Sequence, residues 1–146
     1  MKNLHANKRI LVVSDDPSAR EALGEMLRVA DFNVLLAGSG RSAVETLVAN
    51  PVSVIVLDFR TRFDAKDSNP QKSKTLTALT DVDPFLPVIL TCDADADLNH
   101  ETALMADLVL KHPVQPSALL DGIDTLLGES LRERVYRKSD YIATLR

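Results

Sequence analysis

The sequence predicts an α/β domain: a doubly wound five-stranded parallel sheet with helices on both faces. Three observations lead there. Four short runs, Ile10-Leu11-Val12-Val13, Val34-Leu35-Leu36-Ala37, Val54-Ile55-Val56-Leu57 and Val88-Ile89-Leu90, are continuously apolar, the signature of strands buried on both faces. The segments between them repeat apolar residues at helical spacing. The connections are also too long for hairpins, so parallel strands joined by right-handed crossovers are the simplest topology.

Taken in order, the first run is followed by residues 17–30. Ala19, Ala22, Leu23, Met26, Leu27 and Ala30 there form one helical face, and Pro17 occupies the first turn, where a missing N–H costs nothing. A shorter helix is expected at 42–49, after Gly38-Ser39-Gly40, and further helices at 71–79, 98–105 and 117–127. The fifth strand is the weakest, Leu108-Val109-Leu110 before Lys111-His112-Pro113. Residues 59–69 follow neither period and mix Arg60, Arg62, Asp64, Lys66 and Asp67, which reads as a polar loop.

Composition narrows the function classes. With 45% hydrophobic and 26% charged residues in 146, one globular domain is expected, divided as an extension at 1–7, a body at 8–128 and a basic segment at 129–146. A net charge of −4 argues against direct nucleic-acid binding by the body, which would need a concentrated surplus of Lys and Arg. Cys92 is the single cysteine, which excludes an internal disulfide framework and a cysteine zinc site and suits a cytoplasmic location. Every apolar run is too short to span a bilayer, and the first residues do not resemble a signal peptide, so neither membrane insertion nor export is expected.

The carboxylates at the strand ends carry the chemistry. In such sheets ligands bind at the carboxyl ends of the strands, where strand order reverses. Asp15 and Asp16 end the first run and Asp58 the third, so neighbouring first and third strands would bring three acids together. Like charges at close range call for a neutraliser, and Mg2+, a hard cation that prefers oxygen ligands, suits the set. A carboxylate beside such an ion can attack a phosphoryl group in line, and Asp58 is best placed for it. Any single aspartate could instead cap a helix or start a turn, as Asp16 could before Pro17.

Together these segments resemble the receiver domain of bacterial two-component response regulators. The resemblance runs from about Lys8 to Leu127 and rests on the run ending Ser14-Asp15-Asp16, on Val54 to Asp58, on Pro87-Val88-Ile89-Leu90-Thr91, and on Ala106-Asp107 to Pro113 followed by Gln115-Pro116-Ser117. It implies a flavodoxin-like sheet. It also implies Asp58 as phosphoacceptor, supplied by a sensor histidine kinase or phosphotransfer protein, and Mg2+ held by Asp16 directly, by Asp15 largely through water, by Asp58 and by the backbone carbonyl of Arg60. Thr91 would be the hydroxyl that follows the phosphoryl group, signalling to a downstream protein, to an output domain beyond this chain or through a homodimer.

Departures from that pattern are as informative. The resembling domains carry a lysine directly before the proline after the fifth strand; here His112 stands there and Lys111 precedes it. Neighbours on an extended segment face opposite ways, so Lys111 should point away unless the register slips. Histidine can donate to a phosphate but is not a permanent cation. His5 and His100 read as plain surface residues. The fifth strand lacks the usual aromatic, and the loop after Asp58 lacks the usual Met-Pro and Asp-Gly, leaving Arg60 and Arg62 to pair with a phosphoryl group or with Asp64 and Asp67.

Two other classes stay open at this stage. A pseudo-receiver would keep the fold as an interaction module regulated without phosphorylation. A Mg2+-dependent phosphatase would also use a strand-end aspartate, but with a second Asp two residues on, where this chain has Arg60. The segment after 128, with Arg132, Arg134, Arg137, Lys138 and Arg146 against Glu133 and Asp140, is expected to be a linker helix or a solvated extension of the last helix.

Overall fold

A computed structural model describes residues 8–59, 70–94 and 105–144. Five parallel strands, β1 (Arg9–Val13), β2 (Asn33–Ala37), β3 (Val54–Phe59), β4 (Val88–Cys92) and β5 (Leu108–Lys111), form one sheet in the order β2-β1-β3-β4-β5. The order reverses between β1 and β3. Helices α1 (Pro17–Val29), α2 (Gly40–Ala49), α3 (Pro70–Val82) and α4 (Pro116–Gly128) flank the strands, and α5 (Leu131–Thr144) follows them. This is the doubly wound parallel architecture read from the sequence. The helix expected at 98–105 lies outside the described residues except for Met105, as do His100, the extension 1–7 with His5 and the loop expected at 59–69 except for Phe59, which instead ends β3 as a buried strand residue.

The apolar strands are continuous because each feeds two cores. Leu11, Val13, Ile55, Leu57, Val88 and Leu90 pack with Ala43 and Leu47 of α2 and Leu76 and Leu79 of α3. Ile10, Val12, Val54, Val56 and Ile89 pack on the other face with Leu23 and Leu27 of α1 and Leu119, Ile123 and Leu126 of α4. Each such valine, leucine or isoleucine, buried from water, contributes about 1.5–3 kcal/mol. Along every strand, residues two apart therefore share a face.

Local chemistry fixes the helix starts. Asp16 caps α1 by accepting from the Ser18 N–H at 3.0 Å, with Pro17 in the first turn. Ser39 caps α2 through the Ser42 N–H at 3.1 Å. Beyond α1, Asp31 adopts the left-handed region at φ 69°, which a short polar side chain tolerates. Ser130 and Glu133 form a reciprocal capping box at the start of α5, their N–H groups bonding each other's side chains at 3.4 and 3.1 Å.

Helix α5 departs from the linker or solvated extension expected for this segment. Its Lys138 is 8% exposed and donates to the Leu86 carbonyl at 3.0 Å. Lys138 also pairs with Asp107 at 3.2 Å, and Arg137 pairs with the same carboxylate and with Glu129. Asp107 accepts in addition from the Val88 N–H at 2.6 Å. The basic residues thus clasp the amino ends of β4 and β5, and the helix packs back on the body. Among the described residues no helix is long and apolar enough to cross a membrane.

Candidate functional site

Strand parity decides which side chains meet at the carboxyl edge. Counting by twos, Ile10 and Val12 lead to Ser14, Val54 and Val56 lead to Asp58, Ile89 leads to Thr91, and Leu108 and Leu110 lead to His112. All four therefore emerge on the α1/α4 face. Register brings them level: Val13 pairs with Leu57, Asp58 with Thr91, and Thr91 with Leu110.

The result is a closed polar cluster around Asp58, whose side chain is wholly buried. Ser14 Oγ donates to Asp58 Oδ2 at 2.8 Å, and Thr91 Oγ1 donates to Oδ1 at 2.8 Å. His112 Nε2 lies 2.7 Å from Oδ1; a carboxylate oxygen only accepts, so this nitrogen carries the hydrogen. Ser14 and Thr91 are themselves 1% and 0% exposed, which removes water as a competitor for these bonds. Ser14 is held in turn by the Asp16 N–H at 3.2 Å, and its carbonyl accepts from Arg20 Nη1 at 2.9 Å.

Lys111 stands on the opposite sheet face, beside Cys92, whose thiol burial pushes above its usual range while Lys111 partly opposes the shift. Cys92 is itself fully buried.

Asp16, expected to join Asp58, is placed differently. Asp16 turns its carboxylate to the start of α1 as a cap, and Asp15 is exposed. The residue of β1's end that meets Asp58 is Ser14, which the sequence reading passed over because the adjacent acids stood out. Arg60, expected to offer its carbonyl, lies outside the described residues. Among the described residues no three carboxylate, imidazole or thiol groups gather as a metal-binding set. A hard divalent cation needs several oxygen ligands, and here both oxygens of the one central carboxylate already accept protein donors. The described donor set does not fit Mg2+.

No protein-family model and no curated protein matches the chain. Solved structures do. A response regulator receiver domain protein from Clostridium thermocellum is 21% identical, with 83% of this chain and 94% of that one covered at a TM-score of 0.67. The response regulator protein TrrA from Thermotoga maritima, in complex with Mg2+–BeF, is 21% identical, with 82% and 99% covered at a TM-score of 0.68. A sensor protein from Polaromonas sp. is 17% identical, with 84% and 97% covered at a TM-score of 0.69.

What these structures share with the chain is the fold, that of a response-regulator receiver domain. On that fold this chain carries a strand-end aspartate bonded by two hydroxyls and an imidazole.

Proposed function

We propose that the chain is a receiver module of two-component signalling. Asp58 takes a phosphoryl group from a phosphohistidine of a sensor kinase or phosphotransfer protein, and the change passes to a downstream protein through surface contacts. The observation that supports this most is the Asp58 carboxylate at the reversal of strand order, with Thr91 and His112 reaching it from the next two strand ends. In the transfer, an Asp58 oxygen forms a bond to phosphorus in line with the breaking P–N bond. The histidine nitrogen leaves with its electron pair and takes a proton from solvent. The Ser14 and Thr91 hydroxyls and His112 N–H can turn from the carboxylate to the new phosphoryl oxygens, and a shift of Thr91 would carry the signal into β4. Magnesium, which the receiver resemblance implies, would first have to displace donors already on Asp58.

The test is intact mass after incubation with acetyl phosphate, with and without Mg2+. One added phosphoryl group that disappears in Asp58→Asn supports the reading; no adduct in any condition refutes it.

The hydrogen bonds already made to both Asp58 oxygens favour a second reading, a pseudo-receiver that works as an interaction module without phosphorylation. That reading requires oligomeric state and partner binding to be indifferent to phosphodonor, and a change in either on treatment would rule it out.

A further inference from the structure

The disagreement between an acid-rich strand edge and a described donor set unsuited to Mg2+ points to a specific substitution of roles. We propose that Ser14, with His112, takes the place of a divalent cation on Asp58, so that the pocket is complete without metal and residue 14 is the position that decides this. The inference deepens the reading of the Asp58 site but rests on its hydrogen bonds rather than on phosphoryl transfer.

Five observations carry it. Parity and register put residue 14, and not Asp15, on the face that meets Asp58. A carboxylate at 14 would confront Asp58 with a like charge and would need a cation between them, whereas the Ser14 hydroxyl donates to Oδ2 directly at 2.8 Å. The other oxygen is taken by Thr91 and His112 at 2.8 and 2.7 Å, so a cation using it would have to displace short bonds, the first fully buried and the second partly so. Arg20 adds a fixed positive charge at the Ser14 carbonyl, which further disfavours a second cation there. Asp16, the remaining acid, is committed to capping α1.

The experiment is thermal unfolding of the full chain with MgCl2 against NaCl of matched ionic strength. A site with a dissociation constant of about 1 mM would raise the melting temperature by about 3–6 °C at about 10 mM Mg2+. The wild type is expected to show no such shift, and Ser14→Asp to acquire one. A wild-type shift of that size that is lost in Asp58→Asn overturns the proposal. A folded Ser14→Asp without the shift overturns the assignment to residue 14.

Should Ser14→Asp not fold without metal, about 10 mM MgCl2 but not matched NaCl must restore its native circular-dichroism spectrum, and failure to do so counts equally against the proposal. Adduct mass is a separate readout. Absence of phosphorylation with no Mg2+ shift defeats the phosphoacceptor reading while supporting this one.

Discussion

Replacing Asp107 by alanine tests whether α5 is an integral part of the domain. The Asp107 side chain is 2% exposed and serves Lys138, Arg137 and the Val88 N–H at once. Its removal leaves the buried Lys138 ammonium without its counter-charge and a strand N–H without an acceptor. Breaking a buried pair by deleting one partner costs about 3–5 kcal/mol. Lys138 keeps the Leu86 carbonyl and Arg137 keeps Glu129, so the lower end applies, about 3 kcal/mol. At about 2–4 °C per kcal/mol for a domain of this size, the melting temperature should fall by about 6–12 °C.

Urea unfolding followed by far-ultraviolet circular dichroism measures the loss directly. Arg137→Ala is the control, since its side chain is 40% exposed and its ion pairs are screened, and it should cost under about 1 kcal/mol. An Asp107→Ala protein within about 1 kcal/mol of wild type would refute the reasoning, because a buried clasp cannot be that weak.

Thr91→Val keeps the shape of the side chain but removes one donor from the Asp58 carboxylate. With Ser14 and His112 still in place the expected loss is about 1.5 kcal/mol, and unchanged urea stability would argue that the bond is not made in solution. Gly122 brings α4 so close to β5 that an added methyl overlaps Leu108 Cδ2, so Gly122→Ala should destabilise by about 1–2 kcal/mol. Gly128→Ala meets no atom within 4 Å and should be neutral or mildly stabilising; equal melting temperatures for the two variants would contradict the packing described.

The paired hydrogen bonds from Arg137 hold the Glu129 carboxyl below the usual glutamate range, against an opposing effect of burial. A lowered folded-state value means this stabilisation is complete above the ordinary glutamate value of about 4.3 and is lost as pH falls through the lowered one. Wild type should therefore lose urea stability on acidification more steeply than Glu129→Gln, and parallel curves would contradict it.

The layered fold was legible because strands buried on both faces leave continuous apolar runs that no amphipathic helix would show, as in Val54-Ile55-Val56-Leu57. The approximate seat of Asp58 and Thr91 followed from the same runs, since each residue closes or follows one. Ser14 was not singled out because a hydroxyl between a valine and two acids carries no obvious charge signal. Counting by twos from Val12 would have found it, as the same count from Val56 finds Asp58.

Asp107 was missed for a different reason. A lone acid before a weak strand looks like a turn residue, and its partners lie some thirty positions away on a helix whose surplus of positive charge was the one available hint. Helix α5 read as a linker because amphipathic patterns reveal apolar faces, whereas α5 is fastened largely through charged groups with buried stems.

The placement of aromatic residues on α5 has a practical consequence. The chain contains no tryptophan, and its two tyrosines, Tyr136 and Tyr141, both belong to this helix. Tyrosine emission from the unlabelled protein therefore originates on the clasped element alone. Because Tyr136 is 76% exposed with the helix docked, the anisotropy of this emission, rather than its quenching, would report the undocking of that element, with no dye or engineered probe.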